Sequence, residues 1–182
     1  MSFDAIVWLV IAPLSLLTLL TAMVLSAAVL YAIAPRAFVQ IGVVRIATGY
    51  LGVFVAMIPV SVAEMIGNLT LGHFTGMFLI SVSMAYWVTA VLVLPLTIAL
   101  TAYGRGIVGW VLLVSSVVGA PALTVLRYSA SLRDIANIAV QQWAYDLLFA
   151  AVAMAIISGA FSIGARLPWV KPSPQKINRV KK

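Results

Sequence analysis

The sequence predicts an all-α, polytopic integral membrane protein with five transmembrane helices in one bundle, its N-terminus outside and its C-terminus cytoplasmic. Three observations predict this. Of 182 residues, 64% are hydrophobic and 8% are charged, whereas about a quarter of the residues in soluble domains carry charge. The apolar residues fall in runs that match a hydrocarbon layer of about 30 Å, which takes roughly 20 residues of helix to cross. Lys and Arg separate from Asp and Glu loop by loop, as the orientation rule for membrane helices requires.

The first span is expected over residues 6–33. It lacks the basic leading segment of a secretory signal and is about twice the length of a signal's apolar core, so it reads as a retained span. "APRAFVQIG" reads as a water-facing turn before the second span, 43–65. "GNLTLGHFTG" separates that span from the third, 76–102, and "YGRG" separates the third from the fourth, 107–126. Before the fifth, 143–165, residues 131–142 are expected to form a short interfacial helix. Ser131 stands as its N-cap with Asp134 three residues on, and Leu132, Ile135, Ala139 and Trp143 recur on one face. A solvated loop running into the fifth span is the alternative. Residues 1–168 thus form one five-span domain, with no internal repeat of the kind many secondary transporters carry. Residues 169–182 complete a proline-interrupted, basic stretch that is expected to be a disordered cytoplasmic tail.

With the N-terminus outside, nine basic residues lie inside: Arg36, Arg45, Arg105, Arg166, Lys171, Lys176, Arg179, Lys181 and Lys182. Arg127 and Arg133 alone lie outside, together with all four acids, Asp4, Glu64, Asp134 and Asp146. Arg45 and Glu64 are separated by 19 residues, or about 28 Å of helix, close to one hydrocarbon thickness. Glu64, the only glutamate, therefore marks the exit of a span rather than a carboxylate at mid-depth.

Several function classes lack their chemistry here. The chain has no cysteine, which removes disulfides, thiolate nucleophiles, iron–sulfur clusters and Cys-ligated zinc. Glu64 and His73, nine residues apart, fit no zinc signature and have no further ligand nearby. No cofactor or metal is expected. No nucleophile elbow occurs. No basic stripe is interleaved with exposed aromatics, so nucleic acid is not an expected partner. The middle of each span, near Thr18, Phe54, Thr89, Ser116 and Ala155, carries hydroxyls at most and no charge, which argues against a proton- or sodium-coupled pump.

Two sets of residues remain as candidate sites. Glu64, Arg127 and Asp146 cluster on the outer side, where Pro13, Pro59 and Pro121 fall in the outer parts of their spans and would open a vestibule if they kink them. Asp146 is expected in the first turn of the fifth span, complementing the helix dipole, within reach of Arg127. The plain alternative makes both of them ordinary interfacial charges. Ser115 and Gly119 in the fourth span, and Ala151, Ala155 and Gly159 in the fifth, repeat small residues every four positions, with Ser158 and Ser162 in a neighbouring row. Such stripes let helices approach closely in lipid, within one chain or between two. Trp8, Trp110, Trp143 and Trp169 are placed at the interfaces, and Trp87 in the core.

The expected function is therefore non-enzymatic: an accessory or structural membrane subunit, or a protein that neutralises a membrane-acting factor, working through helix packing and its outer surface. The expected partners are membrane lipid and another membrane protein or a second copy. A small channel or facilitator with an outer vestibule is the alternative, and a membrane-embedded enzyme using Glu64 or Asp146 on a lipid-linked substrate is a further one. Compact loops and a clean inside-positive bias fit a bacterial cytoplasmic membrane.

Overall fold

The computed structural model describes residues 12–64, 71–129 and 140–170. Every regular element among them is helical, and no strand occurs. In order these are α1 (Ala12–Ile33), α2 (Pro35–Ile41), α3 (Val43–Glu64), α4 (Leu71–Val88), a π-helical turn (Thr89–Val93), α5 (Leu94–Ala102), α6 (Val108–Ser129) and α7 (Val140–Gly164). Four stretches are long and apolar enough to cross a membrane: Val43–Ala63, Phe78–Ala102, Val108–Val125 and Gln141–Gly164. They mark a multi-pass membrane protein. The helix α1 adds 22 residues without a charge.

The long helices alternate in direction. The amide of Val108, at the start of α6, donates to the carbonyl of Pro168, beyond the end of α7. Gly164, at the end of α7, lies against Thr48 and Gly49, near the start of α3. The short α2 packs on α5. The first turns of α3 and α6 and the last turns of α1, α5 and α7 therefore share one end of the bundle. That end carries Arg36, Arg45, Arg105 and Arg166. Glu64, the last residue of α3, belongs to the opposite end, one helix length from Arg45.

Burial is inverted relative to a soluble fold. The bundle axis holds Val53, Leu94, Ile98, Val108, Val111, Met154 and Phe161, but it also takes in Ser61, Thr89, Thr97, Ser115, Ser158 and Ser162. Large apolar side chains point outward along every long helix: Val117 is 65% exposed, Met84 67%, Phe149 67% and Ile163 60%. In water such a surface would aggregate. In lipid it is the solvated face, and small or hydroxyl-bearing residues are the ones that gain from facing neighbours. Three of these inward hydroxyls donate back to their own helices: Thr89 to Ala85 at 2.7 Å, Thr97 to Val93 at 2.7 Å and Ser158 to Met154 at 2.6 Å.

The tightest crossing is between α3 and α7. A Cβ on Gly52 would stand 2.5 Å from the carbonyl oxygen of Ala160, and one on Gly164 would stand 2.4 Å from that of Thr48. Glycine is required there because backbone, not a movable side chain, fills the space. Tyr50 and Phe161 continue the contact with rings edge to face at 5.8 Å.

Three sequence expectations change. "APRAFVQIG" is not a plain turn: Pro35–Ile41 is a helix that buries Ala37, Phe38 and Ile41 against the bundle. Pro35 suits a first helical turn, where its missing N–H costs nothing, and the one-, three- and four-residue spacings of the buried set put them on one face. The helix of the third span already includes Leu71, ahead of the membrane-length stretch Phe78–Ala102, so His73 lies on the helix backbone rather than in a loop; its side chain is not described. That span is also not uniformly α-helical. Pro95 has no N–H for the carbonyl of Val91, and the preceding turn widens so that the Leu94 amide donates to Thr89, five residues back. The helices α3 and α6 run through Pro59 and Pro121 without interruption.

Two helix ends close with the same hydrogen-bond pattern. After α5, Gly104 at φ 68° donates to Thr101 and Arg105 to Leu100. After α7, Arg166 donates to Ile163 and Leu167 to Ser162. The left-handed position there, normally a glycine, is held by Arg166 at φ 52°.

Candidate functional site: a lateral groove beside Asp146

Between α4 with its π turn, α6 and α7 the bundle surface opens into a groove of about 660 Å³. Met84, Trp87 and Val91 form one wall, Leu123 and Thr124 another, and Phe149 and Ala153 the third. Beside the groove α6 settles closely on α7, where a Cβ on Gly119 would meet the Met154 side chain. Asp146 lies on the lining, 8% exposed, with the Gln142 side-chain amide donating to its Oδ2 at 3.3 Å. The Thr124 hydroxyl already donates to the Ala120 carbonyl at 2.8 Å. The groove is thus a hydrocarbon-lined slot with one carboxylate along it, suited to apolar side chains or an acyl chain.

The sequence expectations map onto this site unevenly. Asp146 is in the second turn of its helix, not the first, because α7 begins at Val140. Its role as a dipole-complementing first-turn acid is therefore replaced by a buried position against the groove. Glu64 ends α3 and Arg127 stands in the last turn of α6; only their backbones are described, so a vestibule formed by the three charges lies outside the described residues. Of the expected interfacial helix, 131–142, residues up to 139 lie outside the described residues, and Val140–Gln142 belong to α7 itself. Of the tail, 169–182, only Trp169 and Val170 are described, and both are exposed.

The small-residue stripes lie on or beside the α6–α7 interface, the most extensive in the bundle. Ser115 and Gly119 are buried, and Ala151, Ala155 and Gly159 are half-buried. A Cβ on Gly119 would meet Met154, and one on Gly159 would meet Leu112. Trp87, expected in the core, is instead 42% exposed on the groove wall. Position along a span does not distinguish a helix face that meets protein from one that meets lipid.

Sequence reasoning did not find the groove, nor Gly49, Gly52, Ala160 and Gly164 at the α3–α7 crossing. The latter had a signal, two glycines three apart in α3 and a small pair four apart at the end of α7. Among the described residues no three His, Cys, Asp or Glu side chains come together. No protein-family model matches the chain, and no significant match is found to a curated protein or to a solved structure.

Proposed function

We propose that this protein is a non-enzymatic accessory subunit of a bacterial cytoplasmic membrane, crossing it five times with the N-terminus outside, and that it acts by receiving an apolar partner segment along its side. The lateral groove carries this reading. It is large, faces where lipid would be, and is walled by exposed aromatic and aliphatic side chains with one carboxylate along the lining. In lipid, association of helices rests on shape and on a few polar contacts rather than on the hydrophobic effect, and the groove supplies both. The clustering of Arg36, Arg45, Arg105 and Arg166 at one end supports the orientation, since cytoplasmic loops collect Lys and Arg.

A photoreactive side chain at Ala153 tests the reading in native membranes. Crosslinking to one defined membrane protein, or to a second copy, is expected. Adducts to lipid alone, with a monomeric protein in mild detergent, would remove the proposal.

One observation favours a facilitator as a second reading. The hydroxyls of Tyr50, Ser61, Ser115 and Ser162 are buried without a hydrogen-bond partner among the described residues. Tyr50 and Ser162 lie toward the arginine end and Ser61 toward the other, so water entering the bundle would find acceptors at several depths. Passage of small solutes through protein-containing liposomes, reduced by Ser115→Ala, is the expected result of this reading, and vesicles that stay tight to a solute panel would dismiss it.

A further inference from the structure

A second depression, of about 400 Å³, lies at the arginine end where α1 turns into α2. Its lining includes Ile33, Pro35, Arg36, Gln40 and, from α5, Ala102. Arg36 and Gln40 are four residues apart on the exposed face of α2, whose other face is fixed to the bundle by Ala37, Phe38 and Ile41. A guanidinium and an amide one turn apart thus stand on a short helix that cannot roll. The backbone breaks at Ala34 (φ −137°, ψ 62°) and Gly42 (φ 84°, ψ 143°) set this helix off from the long ones on either side.

We propose that this corner binds the phosphodiester of an anionic phospholipid. The charge is complementary: this end of the bundle carries Arg36, Arg45, Arg105 and Arg166 and no acid among the described residues. Among the described residues Arg36 makes no ion pair, while Arg105 is engaged over the Trp110 ring at 5.0 Å. The planar guanidinium offers two parallel donors to phosphate oxygens, and the Gln40 amide offers a third beside them. The shape is also that of an amphiphile. From the polar pair the lining passes to Ile33, 75% exposed; beyond the depression, one turn back along α1, Val29 is 54% exposed and extends an apolar ridge on which an acyl chain can lie. The site sits at the end of the bundle opposite Glu64, so it stands or falls separately from a partner in the lateral groove. It needs only that the chain be in a membrane, in whichever leaflet this end lies.

Native mass spectrometry of the full chain, extracted from vesicles of equal phosphatidylglycerol and phosphatidylcholine, tests it. One phosphatidylglycerol is expected to be retained in preference to phosphatidylcholine. Arg36→Gln should reduce that preference about fivefold, the equivalent of ~1 kcal/mol for one basic side chain at an anionic surface. Gln40→Leu should reduce it with no change of net charge, and Arg105→Gln, at the same end, should leave it unchanged. Added inorganic phosphate should not displace the lipid. Equal retention of the two lipids, equal losses for Arg36→Gln and Arg105→Gln, no loss for Gln40→Leu, or displacement by phosphate would each overturn the proposal. All three positions are exposed, and coincident thermal unfolding of the variants confirms that folding is intact.

Discussion

Adding one carbon at Gly164 is expected to do more damage than adding one at any other helical glycine outside the α3–α7 crossing. In Gly164→Ala the new Cβ would stand 2.4 Å from the Thr48 carbonyl oxygen and 3.1 Å from the Gly49 Cα. Ordinary contact begins near 3.4 Å, so α3 and α7 must separate by about 1 Å, and both obstacles are backbone. Overpacking of this kind costs about 1–3 kcal/mol, and a radial gap near 1 Å forfeits up to about half of each contact along the crossing. A cost of about 2–3 kcal/mol is expected. Gly119→Ala is the sharper comparison: its Cβ would also come within 2.4 Å of an atom, but that atom is Cε of Met154, the free end of a flexible side chain. There the cost should stay below about 1 kcal/mol, since methionine re-packs. Gly109→Ala meets nothing within 4 Å and should be neutral or stabilising by about 0.5–1 kcal/mol from helix propensity. Reversible unfolding in mixed micelles, read by tryptophan fluorescence, gives all three differences. Equal costs at Gly164 and Gly119 would refute the claim that backbone-on-backbone contact fixes the α3–α7 crossing.

Further outcomes follow from single contacts. Ser26 donates to the Ala90 carbonyl at 2.6 Å, tying α1 to the π turn, and Ser26→Ala should cost ~0.6–1.7 kcal/mol, the span measured for interhelical hydrogen bonds in membranes; no measurable change would sever that tie. Pro95→Ala restores a donor to the Val91 carbonyl and should raise amide-exchange protection across residues 89–95; unchanged protection would mean that the π turn has another cause. Arg166→Gly relieves a left-handed residue and should stabilise by about 1 kcal/mol, whereas loss of stability would show that the guanidinium is needed where it stands. Asp146→Leu removes the acceptor of the Gln142 amide and should cost about 1–3 kcal/mol, with Asp146→Asn retaining most of the stability; equal costs would show that the hydrogen bond to Gln142 is not what matters at that position.

What was legible in the sequence is what a bilayer imposes directly. Helix type, the long apolar stretches and the collection of Arg36, Arg45, Arg105 and Arg166 on one side follow from hydrocarbon thickness and charge. Less legible was anything decided by which helix meets which. Trp87 and Met84 sit at the same depth as buried Ala85, and hydropathy cannot tell them apart, because lipid and protein interior are equally apolar. The pattern that does carry information in lipid is small residues. It pointed to Ser115, Gly119 and Gly159, and the same logic applied to Gly49, Gly52 and Gly164 would have exposed the tighter crossing. The helix α2 was missed for a different reason: seven residues are too few to show periodicity, and a proline at its start resembles the proline of a turn. Nothing in the sequence sets Pro95 apart from the apolar residues around it, yet a π turn precedes it, absorbing the lost hydrogen bond without ending the span.

The outward apolar side chains of the long helices are expected to lie in hydrocarbon. The chain contains no cysteine, so any introduced thiol reports only on its own position. Single cysteines at Val117, Val152 and Gly104 can be offered a water-soluble maleimide in sealed and in opened membranes. Cysteine at 104, in the turn at the arginine end, is expected to react only when the cytoplasmic side is reached. Those at 117 and 152 should stay unreactive throughout, although both side chains are more than half exposed on the protein surface. Reaction at 117 and 152 as fast as at 104 would mean that water, not lipid, covers those faces, and would contradict the account.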